Sequence, residues 1–324
     1  MKKLITIVIP AYNEDKSLPL LLKRLDNLAI NNREYNFEFL FIDDGSKDKT
    51  LSILQQASEV NLRISYLSFS RNFGKEIAVA AGLDHADGDA VVIMDADGQE
   101  PPELIPEMIK WWTKGYDDVY AKRKGHRSAG WFTRLTSWGY YRTVKLLTRI
   151  PIQIDTGDFR LFSRRVVLEL RKLREVDRQN KALFSWVGYR KKSIEFEQQK
   201  RAAGQTKWSF WRRLNLAIDG ITSFTTAPLR LATMAGLLIA LVSFIYIIVI
   251  IVQYFSGVVR SSGYPTLLAM ILFLGGIQLI GLGIIGEYVG RIFTETKNRP
   301  LYLAQEYHKA KVAENASEIK KIGK

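Results

Sequence analysis

Cysteine is absent from the 324 residues, so disulfides and thiolate metal sites are excluded, as befits a cytosol-facing protein. Histidine is almost absent. His85, His126 and His308 are too few for a His-rich metal site, and any metal must rely on oxygen ligands. No signal peptide is visible: the apolar run Leu4–Ile9 is too short for an h-region and leads straight into Pro10-Ala11-Tyr12-Asn13-Glu14. The expectation is a cytoplasmic N-terminus. No Gly-x-Gly-x-x-Gly follows the first apolar run, which disfavours a dinucleotide dehydrogenase.

What is present is unevenly distributed. The formal net charge of +14 divides into 13 Lys/Arg against 20 Asp/Glu over residues 1–121, 25 against 8 over 122–230, and 9 against 5 thereafter. Acidic residues can hold a divalent cation, and basic ones can meet phosphates or an anionic leaflet. The basic region abuts apolar segments and carries no recognisable nucleic-acid motif, so nucleic acid is not expected as a partner.

The first 121 residues alternate β-rich runs (Leu4–Ile9, Phe37–Ile42, Ile64–Phe69, Ala90–Met94, Asp118–Ala121) with amphipathic stretches (Ser17–Ile30, Lys49–Ser58, Lys75–His85, Pro102–Trp112). That order predicts an α/β domain with a mostly parallel sheet and helices on both faces. Ligands of such sheets bind beyond the carboxyl ends of the strands. Asn13-Glu14, Asp43-Asp44, Arg71-Asn72 and Asp95–Asp97 all fall there.

Asp95-Ala96-Asp97 ends a buried apolar strand. Two carboxylates at i and i+2 can share one hard cation, Mg²⁺ or Mn²⁺, which would bridge a diphosphate. Asp87 and Asp89 have the same spacing but precede the strand, where capping or solvating its start is the expected role.

Leu231–Val259 and Ser261–Gly286 contain no charged residue, and each is long enough at about 1.5 Å per residue to cross a hydrocarbon core of roughly 30 Å. Basic flanks (Arg212, Arg213 and Arg230; Arg291, Lys297 and Arg299) predict a hairpin with both ends in the cytoplasm. Before it, Phe210, Leu214, Ala217, Ile221 and Phe224 share one helical face opposite Arg212, Asn215 and Asp219, which predicts an interfacial helix with Trp208 and Trp211 at headgroup depth. Trp131–Ile150 is a second interfacial candidate. The expected organisation is a catalytic domain over 1–205, the interfacial helix over 206–228, a hairpin over 229–292 with spans near 231–256 and 265–288, and a cytoplasmic tail over 293–324. Gly275, Gly276, Gly281 and Gly283 would let the second span pack closely in a homo-oligomer.

Pro10-Ala11-Tyr12-Asn13-Glu14, Asp43-Asp44-Gly45-Ser46, Arg71-Asn72-Phe73-Gly74-Lys75 and Asp95-Ala96-Asp97-Gly98-Gln99 together resemble family 2 glycosyltransferases with a GT-A fold. Asp155–Arg160, Arg201–Trp208 and Gly286–Arg291 narrow the resemblance to polyprenyl-phosphate glycosyltransferases, the dolichol-phosphate mannose synthases and the bacterial and phage-type undecaprenyl-phosphate glucosyltransferases among them.

The resemblance implies a membrane enzyme that moves a hexose, glucose first, from a UDP-sugar to polyprenyl phosphate with inversion. Pro10, Tyr12 and Glu14 would line the nucleoside pocket and Asp44 or Asp43 would bond the base, although Asp43–Ser46 could equally form a helix cap and turn. Arg71 and Lys75 would approach the donor, Asp95 would bond ribose or the metal's water shell, Asp97 would ligate the metal, and Gln99 would face the sugar. Asp158 takes the position of the base, either accepting a proton or orienting the acceptor, since a phosphate monoester with its second pKa near 6 scarcely needs one removed. Arg201 and Lys207 would grip the acceptor phosphate, or anionic lipid headgroups; Arg164 and Arg165 read as surface charge.

Two other readings were weighed. A processive polysaccharide synthase of the same fold would carry Gln-x-x-Arg-Trp, and Gln198-Gln199-Lys200-Arg201-Ala202 lacks the tryptophan. A non-catalytic scaffold or transporter subunit has no need of the acidic cluster.

Overall fold

A computed structural model describes residues 2–124, 156–197, 226–256 and 263–312. They form two compact units, an α/β unit that includes residues from 299 onward and a helical unit between them in sequence.

The α/β unit is built on an eight-stranded sheet in the order β7-β5-β6-β4-β1-β2-β3-β8. Its strands are β1 (Leu4–Ala11), β2 (Asn36–Asp43), β3 (Ile64–Phe69), β4 (Ala90–Ile93), β5 (Asp118–Arg123), β6 (Thr156–Ser163), β7 (Lys191–Phe196) and β8 (Ala304–His308). β3, β2, β1 and β4 run parallel, joined by α1 (Leu18–Asn31), α2 (Thr50–Val60) and α3 (Lys75–His85), while β6 is antiparallel to β4 and β5, and β7 is parallel to β5. The five apolar runs expected from the sequence are strands, and the fourth helical stretch divides into a 3-10 turn (Pro102–Leu104) and α4 (Ile105–Thr113).

Alternation along β1 explains why the sheet is covered on both faces. Ile5, Ile7 and Ile9 join Phe37, Phe39 and Phe41 in a core shared with Leu21 and Leu25 of α1 and Met108 of α4. Val8, also fully buried, points the other way, against α3. A Cβ added at Gly82 of α3 would lie 2.1 Å from Val8 Cγ1, so only glycine lets the helix approach this closely.

Two features differ from the sequence expectation. The stretch 293–324 was expected to be a tail, yet Ala304–His308 pairs antiparallel with β3. Tyr302 stacks on Phe69 at 5.0 Å, Glu306 accepts hydrogen bonds from Gln55 and Tyr66, Lys309 pairs with Asp87 at 2.9 Å, and the Ala310 amide donates to Ser65 Oγ. An unpaired β3 would leave a row of backbone groups open, and β8 covers them. Arg164 and Arg165 are likewise not idle surface charges. Arg164 opens α5 (Arg164–Lys172) and donates to the Ala86 carbonyl at 2.5 Å, while Arg165 forks onto Asp117. Asp89 precedes β4, but its carboxylate holds the start of the neighbouring strand β1, accepting the Leu4 amide at 2.8 Å.

The helical unit contains α7 (Ala227–Phe255) and α8 (Tyr264–Thr296), separated from α6 (Asn180–Trp186) and β7 by residues outside the description. Within them Leu229–Gln253 and Met270–Thr296 are long and apolar enough to cross a membrane. Leu237 and Phe244 are 69% and 62% exposed, and Phe273 is 63% exposed. A soluble core helix buries such side chains; these two helices leave them outward, which associates the chain with a membrane. Most of the expected interfacial helix, the Trp131–Ile150 stretch, Arg260, Arg201 and Lys207 lie outside the described residues.

Candidate active site

The carboxyl ends of β1 to β4 lie on one edge, and antiparallel β6 brings its amino end to the same place. The β4–β6 register pairs Ile93 with Arg160. Continued by two residues, it sets Asp95 opposite Asp158.

Lys75, the first residue of α3, reaches into this pair. Its Nζ lies 2.6 Å and 2.8 Å from the two Asp95 oxygens and 2.9 Å from Asp158 Oδ2. Asp158 is nearly buried, and its Oδ1 has no hydrogen-bond partner among the described residues. Burial by itself would raise the Asp158 pKa. The Lys75 ammonium, with Lys181 and Arg160 nearby, outweighs burial and holds it below the usual carboxylate range. For Asp95 burial prevails over Lys75, and the charges of Asp158 and Asp97 push the same way, so its pKa is raised. Lys75 itself is raised: burial opposes its charge, but two carboxylates more than compensate.

Asp97 sits in the turn after β4, where its Oδ1 accepts the Gln99 amide at 3.0 Å. Among the described residues no group of three or more His, Asp or Glu is gathered as a ready metal cage. The donor set still suits a hard cation. It consists of oxygens only, one of them buried and unpartnered, and a cation already lies between two of the carboxylates. Mg²⁺ usually takes one or two carboxylates and completes its shell with substrate phosphates and water.

Asp43 and Asp44 fill the cap-and-turn role that their sequence also allows, a role that the same residues can combine with contact to a base. Asp43 accepts the Ser46 amide at 3.1 Å and the Ser68 hydroxyl at 2.7 Å. Asp44 accepts the backbone amides of Phe73 (2.6 Å) and Gly74 (3.0 Å) and the Asn72 side-chain amide (2.9 Å). Both are nearly buried. Asp44 clamps the β3–α3 loop, and burial raises its pKa despite those amides. The loops touch so closely that a Cβ on Gly45, at φ +66°, would meet the Arg71 carbonyl carbon at 2.4 Å.

Of the other expected donor contacts, Pro10 is buried as the penultimate residue of β1, whereas Tyr12 stands 44% exposed at the edge. Glu14 accepts the Ser17 hydroxyl, its amide donates to Thr50 Oγ1 at 2.8 Å, and its carbonyl starts α1. Arg71 lies over the Phe73 ring at 4.0 Å, and Gln99 is half-buried beside Asp97.

Two residues at the site were not singled out from the sequence. Glu100, buried beneath the cluster, accepts the Asp95 amide at 2.7 Å, and its pKa is pushed well up, by burial first and by the Asp95 charge next. Its place three residues after Asp97 was the available signal. Glu76 follows Lys75 and accepts the Asn180 amide at 2.7 Å, which fastens α3 to α6.

The chain matches Glycosyl transferase family 2 over residues 6–171 and the GtrB C-terminal hairpin over residues 227–292. An uncharacterized glycosyltransferase of Synechocystis sp., sll0501, is 45% identical over 302 residues, 93% of this chain and 95% of that one. The SfII prophage-derived bactoprenol glucosyl transferase of Shigella flexneri is 43% identical over 307 residues, 94% and 98% of the two chains. Among solved structures, mannosyl-3-phosphoglycerate synthase from Rubrobacter xylanophilus superposes with a TM-score of 0.46 at 16% identity, over 67% of this chain and 71% of that one.

Proposed function

The chain belongs to glycosyl transferase family 2, and on that footing we propose that it moves glucose from UDP-glucose to undecaprenyl phosphate at the cytoplasmic face of the membrane. It is a glycosyltransferase, and its mixed α/β sheet accords with the GT-A expectation. The carrier and the sugar rest on the bactoprenol glucosyl transferases to which it is 43% identical nearly end to end. The observation that carries a chemical role for this site is the pairing of half-buried Asp95 with buried Asp158 round one cation at the sheet's carboxyl edge.

In this reading the bond from the sugar's anomeric carbon to the diphosphate breaks, its electron pair leaves with UDP, and an oxygen of the carrier phosphate bonds that carbon from the opposite face. A bound Mg²⁺ or Mn²⁺, held by Asp97 and Asp95, supplies positive charge against the departing diphosphate. Asp158 orients the acceptor or helps to hold the metal; the incoming phosphate is largely dianionic at neutral pH, so proton removal is a minor task. Tyr12 and Gln99 border the nucleoside and the hexose, and Arg71 the diphosphate. Arg201 and Lys207 take the carrier phosphate, whose own tail keeps it at headgroup depth.

The helix pair supports a hairpin with both ends on one side. The chain leaves the sheet after β7 and returns to it as β8, so spans between those points must be even in number. Purified protein in detergent, given a panel of radiolabelled nucleotide sugars and undecaprenyl phosphate with and without Mn²⁺, tests the proposal. Label from UDP-glucose should enter the lipid fraction only with metal; label from another sugar, or none, would reject the assignment.

A further inference from the structure

We infer that Lys75 gates the cation site: its ammonium occupies both oxygens of Asp95, the carboxylate that would hold the metal with Asp97, and ties them to Asp158 until a nucleotide diphosphate draws it away, so that the dication enters with the donor and not before it. The inference rests on the metal-dependent reading above and adds the order of events.

The geometry permits no sharing. Nζ stands within 2.9 Å of three oxygens on two carboxylates. A dication bonded to either Asp95 oxygen at about 2.0–2.1 Å would sit beside the ammonium, and like charges that close repel strongly. One of the two must leave. Lysine is suited to leaving, because its charge rides on a flexible four-carbon stem, and here the side chain is 45% exposed. Asp158 cannot follow it: the residue lies in β6 and is nearly buried. Nor can the base of α3, which Asp44 fastens through Gly74 and Asn180 fastens through Glu76. The movable part is therefore the lysine stem. A diphosphate at this edge offers the ammonium a new anionic partner and gives the dication phosphate oxygens to complete its shell. In the resting site the ammonium also keeps two facing carboxylates from repelling each other.

Mn²⁺ binding by the full chain in detergent, followed by the loss of the free Mn²⁺ paramagnetic signal with and without UDP, tests this. In wild type, affinity should be weak alone and strong with UDP. K75M should bind Mn²⁺ without UDP about tenfold more tightly than wild type, a factor usual for coupled sites, and its affinity with UDP should change little. K181M removes a charge that acts on Asp158 from α6, and should not reproduce the gain. Equal wild-type affinity with and without UDP, or a gain in K181M matching that in K75M, overturns the gate. The metal reading is judged separately: it fails if wild type with UDP retains no Mn²⁺, and stands if wild type retains it and D97A does not. Should K75M not fold, acylation of Lys75 in wild type, read by mass spectrometry, decides. Mn²⁺ alone should leave its labelling unchanged and Mn²⁺ with UDP should alter it; an equal change from Mn²⁺ alone counts against the gate.

Discussion

Asp95 and Asp158 stand opposite each other where the antiparallel register of β4 with β6 runs on two residues past its last pair, Ile93 and Arg160, although 63 positions separate them in the chain. Their neighbour Asp97 lies just beyond that pairing, in a turn open to the edge. The pair is bridged by the Lys75 ammonium, and Asp97 lies two residues from Asp95 in the same loop.

Asp97→Ala should lower sugar incorporation into the lipid fraction by about a hundredfold or more, the usual scale for losing a group that meets charge in the transition state. Thermal stability should stay near wild type, since Asp97 lies in a turn outside the strands and its bond to the Gln99 amide is local. Untouched incorporation would remove the metal role.

Asp158→Asn should abolish transfer while UDP-glucose still binds, as measured by equilibrium dialysis with labelled donor. The amide keeps the shape but forfeits the charge that Lys75 meets at 2.9 Å. Turnover retained at more than about a tenth of wild type would place the essential group elsewhere.

Gly45→Ala should destabilise the α/β unit by about 2 kcal/mol or more, because the new methyl group meets the Arg71 backbone and alanine resists a positive φ. A fall in Tm of roughly 4–8 °C is expected for a unit of this size. An unchanged Tm would mean that the two loops part readily.

Asp87→Asn should show a pH-dependent deficit. Burial works to raise the Asp87 pKa, but Lys309 and Arg164 prevail and hold it below its ordinary 3.8. A carboxyl depressed on folding stabilises the fold above its ordinary value, and the benefit disappears as pH falls through the folded one. Urea denaturation should give a constant difference between wild type and Asp87→Asn near neutrality, shrinking below about pH 4 and gone once both states are protonated. A difference that persists in acid would exclude the ion pair as its source.

The parallel half of the sheet was legible because apolar runs such as Ile64–Phe69 end abruptly in polar loops, and burial on both faces demands such runs. β7 and β8 were not. Lys191–Phe196 carries charge on its open side, and Ala304–His308 is an edge strand with mostly exposed residues, so neither has an apolar signature. At the site, residue type and position marked Asp95, Asp97 and Asp158. Which carboxylates are already occupied was beyond the sequence, because Asp44 spends itself on amides and Lys75 meets partners 20 and 83 positions away only once the strands are paired.

The return of β8 also sets a timetable for synthesis. The strand that covers β3 emerges from the ribosome after both long helices, so the nascent sheet keeps a bare edge until they have been made. The last seam of the α/β unit closes only after the two apolar helices have been synthesised, which makes completion of the sheet depend on the chain that follows them.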